Sequence, residues 1–384
     1  IFIILAIILP IQIIFQRLVQ SILIIRIKDF ISMKIDIFSN IIKILSVFYF
    51  FSNESYRIVE YYLFITLISI LSALVILVVI RKEENYDFLF LFRSIRLKKK
   101  YYKITKKLAF SSMFLTIGWV IYYELDLVII SKLAGVNEIA IYAVGFTFLN
   151  FLRSLWNIVF SPFSQRFNHF TALNDDFEIT KLLKKIINFT YPLTVIVTLV
   201  LILSAEKIVY FWVGIEYADS IPILQILIGG TCFVFLTNPS SYYITAKTKY
   251  GYINLLAISL PVIFIIGVLL FFPSFNLLGI SIAKSFTMFI AFIIYYFAII
   301  KIYNPIISLK KWFVKLSICC FLISALVPYL LNTFFISQEK STINLLLLLI
   351  MISMIIIITY LFLILSNEEE RIEISKLKLL FKKI

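Results

Sequence analysis

The chain has 384 residues, of which 62% are hydrophobic, and its mean hydropathy is +1.03. This composition excludes an ordinary soluble domain, in which about half of the residues are apolar. The formal net charge is +15. Because the Lys and Arg residues cluster between apolar segments, this charge predicts contact with anionic membrane lipids and no nucleic-acid partner.

No motif in the sequence points to catalysis. The three cysteines lie in apolar runs without a CxxC pair or a neighbouring His, which argues against a disulfide framework and against a metal site. The chain contains no P-loop, no GxSxG element and no HExxH element. We therefore expect no cofactor, no metal and no enzymatic activity.

Eleven apolar segments are long enough to cross a bilayer, since a membrane helix needs roughly 20 apolar residues. They predict an all-α polytopic membrane protein. The segments cover residues 1–20, 31–52, 58–80, 108–131, 138–165, 187–205, 220–246, 251–272, 276–300, 310–331 and 343–366.

Basic residues are unequally divided between the two sides of these segments. Connections on one side hold only Arg57, Lys132, Lys207 and Lys340, whereas most of the other Lys and Arg residues lie on the opposite side. Lys and Arg resist translocation, so the basic side is predicted to be cytoplasmic, with a cytoplasmic C-terminus in the cytoplasmic membrane. The basic stretches are residues 17–34, 81–107, 166–185, 247–249, 301–315 and 371–383.

Two connections interrupt this regular alternation. Residues 81–107 combine many Lys and Arg residues with a short apolar run, which predicts a cytoplasmic linker carrying an amphipathic helix on the membrane surface. Residues 206–219 form the longest outer connection. Its aromatic run, Tyr210–Trp212, suits a short helix at the membrane interface.

Three basic residues fall inside predicted spans, where a charge is costly and therefore marks a candidate functional residue. They are Arg153, Lys284 and Lys43. A water-filled cavity lined by such cations would attract an anionic substrate. The alternative is structural, with each side chain reaching the interface or pairing with a carboxylate inside the bundle.

Two acids, Glu124 and Asp126, lie in the outer third of the span at 108–131. Carboxyl groups at this depth could bind Na⁺ or exchange a proton. Their i, i+2 spacing separates them by about 200° around a helix, so both cannot face one cavity. The alternative for Asp126 is that it orients the end of the helix or pairs with Arg153.

A polar stretch, residues 237–245, lies within a predicted span. Pro239 deprives a backbone carbonyl of its helical donor, and such backbone is tolerated at membrane depth where it lines a cavity or packs on protein. Asn238 and Tyr242 therefore either line a cavity or mediate helix packing. His169, in a basic connection, is predicted to be a surface residue.

Several motifs occur in order between residues 108 and 300. Asp126 precedes an apolar run, then Gly135 and Tyr142, and later comes a Gly-x-x-Tyr element followed by an apolar-Pro-apolar-Leu element. These motifs resemble the polysaccharide-exporter branch of the multidrug/oligosaccharidyl-lipid/polysaccharide exporter superfamily, the flippases of O-antigen and capsule repeat units. The matching stretches are Leu125–Tyr142, Ser161–Arg166, Val213–Leu224 and Ala246–Lys249.

The resemblance implies fourteen spans, arranged as two six-helix lobes plus two C-terminal helices. Because the sequence starts inside an apolar run without Met, we expect the first three or so spans to be missing. Residues 1–80 would then be the rest of the N-terminal lobe, 81–107 the interlobe linker and 108–301 the C-terminal lobe. Residues 302–366 would form the two additional spans and 367–384 a basic cytoplasmic tail.

The resemblance also implies a function. The protein would move a polyprenyl-diphosphate-linked oligosaccharide across the cytoplasmic membrane by alternating access, coupled to Na⁺ or H⁺, alongside the polymerase and glycosyltransferases of a lipopolysaccharide or capsule pathway. A drug or cation antiporter of the same superfamily is one alternative. A membrane-embedded polymerase or acyltransferase is another, although a large outer loop would then be expected. The substrate-binding candidates are Arg153, Lys284, Lys43, Asn238 and Tyr242, and the coupling-ion candidates are Asp126 and Glu124.

Overall fold

The computed structural model describes residues 2–25, 29–51, 57–84, 99–247, 250–303, 310–335 and 339–365. Within these ranges all regular structure is helical. Seven helices are long and apolar enough to cross a membrane, or eight if the bent pair Ser112–Glu124 and Asp126–Leu133 is one span. The chain is therefore an all-helical multi-pass membrane protein.

Two compact units make up the chain, residues 1–102 and residues 103–384. The first contains α1 (Phe2–Ile25), α2 (Asp29–Phe51) and α3 (Ile58–Glu84). These three helices pack on one another through a small apolar cluster. Its buried members are Val19, Leu23, Ile76 and Ile80.

The second unit contains the remaining helices, with α4 starting just before its boundary. They are α4 (Lys99–Glu124), α5 (Asp126–Leu133), α6 (Val136–Ala172), α7 (Asp176–Trp212), α8 (Ser220–Gly230), α9 (Val234–Ala246), α10 (Tyr250–Tyr303), α11 (Lys310–Phe334) and α12 (Thr342–Leu365). Both α6 and α7 have 37 residues, about 55 Å, so they are longer than the roughly 30 Å hydrocarbon core.

Helix α7 lies at the centre of the second unit. Its buried apolar side chains contact α11 and α12, so the two C-terminal helices pack directly against it. The outward faces of the helices remain apolar and exposed, as a lipid-facing surface requires. Examples are Ile158, Leu269, Leu270, Phe321 and Phe362.

Two of the predicted spans are broken. The axes of α4 and α5 differ by 45° across Leu125. The span at 220–246 is divided into α8 and α9 by a 3₁₀ turn, Thr231–Phe233, which follows a pair of glycines. At the second of these, Gly230, an added Cβ atom would lie only 2.7 Å from the Met288 sulfur, so the glycine allows close packing on α10.

The stretch Tyr250–Tyr303, labelled α10, consists of two helical halves that meet at a kink at Asn276, where φ is 50° and ψ is −128°. An added Cβ atom at Gly279 would overlap the backbone of Phe271, which shows that the two halves pack against each other. The halves coincide with the separate segments predicted at 251–272 and 276–300.

The structure differs from the sequence prediction at the outer connection 206–219. No separate helix forms around Tyr210–Trp212, because α7 continues to Trp212 and its buried Phe211 packs on Phe335. The connection shortens to residues 213–219, where Gly214 (φ 116°) makes the turn. Helix α4 begins at Lys99, inside the proposed linker, and the part of it that could span a membrane begins at Ser112. Residues 85–98 and 367–384, which hold most of the proposed linker and the proposed tail, lie outside the described residues.

Candidate functional site

A cavity of about 230 Å³ lies inside the second unit. Its walls are formed by α4, α6, the broken span α8–α9 and both halves of α10. Most of the wall is apolar or aromatic, as in typical ligand pockets. The aromatic residues of the wall include Trp119, Tyr122, Tyr123, Trp156, Tyr242 and Tyr295. The polar residues are Arg153, Asn157, Thr231, Thr237, Asn238 and Ser241.

Arg153 supplies the cationic group of this wall. Its guanidinium carbon lies 3.7 Å from the ring centroid of Tyr123 and 4.6 Å from that of Trp119, so two aromatic faces hold the planar cation. Its Nη1 atom donates a 2.6 Å hydrogen bond to Asn150 Oδ1. No described carboxylate lies within ion-pair distance of Arg153, so the charge is stabilised by rings and an amide and keeps unused N–H donors.

Two further predicted residues share this cavity. Asn238 and Tyr242 lie one turn apart on α9, are half-buried and line the wall together. Asn157 lies one turn after Arg153 on α6, so the i, i+4 spacing brings its amide to the same face. The structure thus places three of the five predicted substrate-binding residues around one space.

Lys284, the second basic residue predicted inside a span of this unit, is not part of the cavity wall. Its ammonium nitrogen lies 2.8 Å from Asp126 Oδ1, and both side chains are completely buried. The ammonium also donates to the backbone carbonyl of Tyr122. The remaining carboxylate oxygen, Oδ2, accepts a 2.8 Å hydrogen bond from the hydroxyl of Tyr142. Asp126 therefore pairs with Lys284, and the alternative pairing with Arg153 is wrong.

Aromatic rings surround the ammonium of Lys284 as well. The ring centroids of Tyr122, Phe264 and Tyr123 lie 4.5, 4.6 and 5.2 Å from its nitrogen. Because Tyr122 and Tyr123 also line the cavity, the ion pair lies directly behind part of the cavity wall. The ring of Tyr123 thus contacts two cations, Lys284 and Arg153.

The remaining predicted residues lie elsewhere. Glu124 is exposed at the end of α4 whereas Asp126 is buried, which confirms that the two acids do not share one environment. Lys43 is half-buried on α2 in the first unit. His169 is exposed near the end of α6, as predicted.

Sequence reasoning missed the aromatic residues that complete the site. The rings of Trp119, Tyr122 and Tyr123 lie against Arg153 or Lys284. The hydroxyl of Tyr142 donates a hydrogen bond to Asp126. A sequence signal was available for Trp119, Tyr122 and Tyr123, because they lie one or two helical turns before Asp126, an acid inside a predicted span. Tyr142 appeared only as part of a family-like motif.

Comparisons with known proteins identify the fold. No protein-family model matches the sequence, and a search of curated proteins finds no match. Among solved structures, the one titled "Lipid II flippase MurJ, inward closed conformation" matches with a TM-score of 0.66 and 18% sequence identity. The match covers 94% of this chain and 72% of that chain. The chain is therefore a multi-pass membrane protein with a MurJ-like fold.

Proposed function

We propose that the protein is a flippase that carries a polyprenyl-diphosphate-linked oligosaccharide repeat unit across the cytoplasmic membrane by alternating access. The observation that carries the proposal is the Arg153 cavity, a space inside a membrane bundle with one cation that has no described carboxylate partner. The MurJ-like fold supports the same class of function, since the matched structure is titled a lipid II flippase.

The chemistry of the cavity suits a diphosphate. A guanidinium binds phosphate oxygens through two parallel N–H donors, and the rings of Trp119 and Tyr123 fix its plane in advance. The indole of Trp156 lies in the same wall, and its buried Nε1 atom has no acceptor among the described residues. Low dielectric strengthens these contacts relative to water.

The remaining polar groups suit a sugar. Asn157, Asn238 and Ser241 supply both donors and acceptors for hydroxyl groups. The cavity has a volume of about 230 Å³, and we assign it to the diphosphate and the adjacent sugar. Membership of an O-antigen, capsule or lipopolysaccharide pathway, with its polymerase and glycosyltransferases as partners, belongs to the same proposal.

Two alternatives are less favoured by the structure. A carrier of drug cations would need an acid near its ligand, yet the described residues that line the cavity include no Asp or Glu and do include Arg153. A polymerase or acyltransferase with a catalytic outer loop is disfavoured because the outer connection expected at 206–219 shortens to residues 213–219.

Reconstituted vesicles provide the test. Purified protein is placed in vesicles with a polyprenyl-diphosphate oligosaccharide in one leaflet, and a membrane-impermeant lectin measures its arrival in the other. Arg153→Ala should slow transfer by about tenfold to a hundredfold, the loss of a charge-assisted hydrogen bond. Arg153→Glu should be slower still because it repels the anion, whereas Arg153→Lys should retain part of the rate.

Arg166→Ala is the matched control, since Arg166 lies exposed on the same helix. It should transport at the wild-type rate. Wild-type transfer by a folded Arg153→Glu variant would remove Arg153 from the substrate path, and no transfer by the wild-type protein would count against the flippase proposal itself.

A further inference from the structure

The break between α4 and α5 brings two helix ends together inside the second unit. The last turn of α4 leaves backbone carbonyls without helical donors, and the first turn of α5 leaves N–H groups without acceptors. Helix dipoles favour a cation at the first kind of end and an anion at the second. The ammonium of Lys284 binds the Tyr122 carbonyl at the end of α4, and Asp126 occupies the first turn of α5.

Both oxygens of the Asp126 carboxylate accept hydrogen bonds. One oxygen is bonded to Lys284 and the other to Tyr142, each at 2.8 Å, and neither Asp126 nor Lys284 is exposed. Hard cations such as Na⁺ bind through several oxygen ligands. The ammonium already neutralises the buried carboxylate, so we expect Na⁺ to bind Asp126 by taking the place of the ammonium. A buried charge without a partner is strongly unfavourable, so the pair depends on both members.

We propose that the Lys284 ammonium is the permanent counter-ion of Asp126, occupying the place that a coupling Na⁺ would take, and that the pair holds the α4–α5 break. Asp126 would then bind no transported Na⁺, in contrast to the role expected from the sequence. This inference goes beyond the proposed function, because it concerns the ion at this site whatever substrate the cavity takes.

The Asp126–Lys284 pair also lies next to the wall of the cavity. Tyr122 and Tyr123, the last aromatic residues of α4, contact Lys284 on one side and line the cavity on the other. The guanidinium carbon of Arg153 also lies 3.7 Å from the ring centroid of Tyr123. Lys284 is therefore a positioning residue, because it holds the last turn of α4, where the ring of Tyr123 contacts the guanidinium of Arg153.

The test uses the purified full chain and no substrate. Melting temperature is measured in NaCl and in choline chloride at equal ionic strength and pH, together with binding of radioactive Na⁺. The variants are Lys284→Met, Asp126→Asn and the double variant. The matched controls are Lys132→Met and Glu124→Gln, which change exposed charges on the same bent span.

Wild type and both controls should melt at the same temperature in the two salts, and Asp126→Asn should bind as much Na⁺ as wild type. Lys284→Met should melt below wild type in choline chloride, because its carboxylate is buried alone. Its melting temperature should then rise with NaCl, because Na⁺ can enter the vacated place and a ligand of the folded state stabilises it. The double variant should melt above Lys284→Met, since neither charge remains unpaired.

Two results would overturn the proposal: stabilisation of the wild type by Na⁺ that disappears in Asp126→Asn, or a Lys284→Met protein as stable as the wild type in both salts. If Lys284→Met does not accumulate, recovery of folded protein in the double variant supports the proposal, and the wild-type comparison with Asp126→Asn still decides Na⁺ binding. These measurements do not involve flipping, so their failure is distinct from failure of the flippase proposal.

Discussion

Arg153 and Lys284 are two intramembrane cations that the second unit accommodates in different ways. Lys284 is completely buried and neutralised by Asp126. Arg153 is half-buried and rests on the rings of Trp119 and Tyr123, with no described acid beside it. A cation held by rings keeps its charge available to a ligand, whereas a cation in an ion pair does not. This difference is why we assign the anion to Arg153.

The backbone conformation at the α10 kink leads to a prediction about Asn276. Asn276 has φ 50° and ψ −128°, a conformation that costs a non-glycine residue about 1–3 kcal/mol and that glycine adopts freely. Asn276→Gly should therefore raise the melting temperature, and Asn276→Val should lower it.

Thermal unfolding in detergent measures both effects. Ser274→Gly is the matched control. Ser274 is exposed two residues before Asn276 and has helical backbone, so glycine relieves no backbone strain there. Equal shifts for Ser274→Gly and Asn276→Gly would show that the kink is not strained.

Individual site residues were only partly predictable from the sequence. The charges at 126, 153 and 284 stand out because each interrupts an apolar run. The separation of Glu124 from Asp126 follows from helix geometry, and the structure confirms it. The Asp126–Lys284 pair could not be derived, because the two residues are 158 positions apart and only the packing of α5 on α10 brings them together.

The close approach of helices α4 and α10 shapes the cavity. An added Cβ atom at Gly118 would overlap the carbonyl oxygen of Ala257 on α10. Gly118→Ala should therefore force the two helices apart. Overpacking of this kind costs about 1–3 kcal/mol of unfolding free energy, so the melting temperature should fall.

Gly251→Ala offers a matched control for that change. Gly251 lies on α10 with no atom within 4 Å of an added Cβ, so alanine should leave the stability unchanged or raise it slightly through its helix propensity. Melting curves for the two variants provide the measurement. A Gly118→Ala protein as stable as Gly251→Ala would mean that α4 and α10 do not approach this closely.

The helical segments were easier to predict from the sequence than their breaks. Apolar length predicts eleven spans, because a membrane helix must be apolar over its whole length, and the described residues contain seven or eight candidate spans. The bend at Leu125 has no proline or glycine beside it, so no local signal announces it, and its stabilising pair comes from a distant helix. The continuation of α7 through Trp212 was missed because aromatic residues suit both an interface and a buried helix end.

For the whole molecule, the charge pattern predicts an orientation that experiment can check directly. With the three native cysteines replaced by serine, a cysteine at the exposed position Lys340 should react with a membrane-impermeant thiol reagent in intact cells. A cysteine at the exposed position His169 should react only after the cells are permeabilised. Labelling of position 169 in intact cells, with position 340 protected, would reverse the proposed orientation.

Of the four tryptophans of the chain, Trp119 and Trp156 line the cavity. Trp119 stacks on the guanidinium of Arg153, and the indole N–H of Trp156 has no described acceptor. We therefore expect a ligand that enters the cavity to change the emission of these indoles, which would report binding without any attached dye.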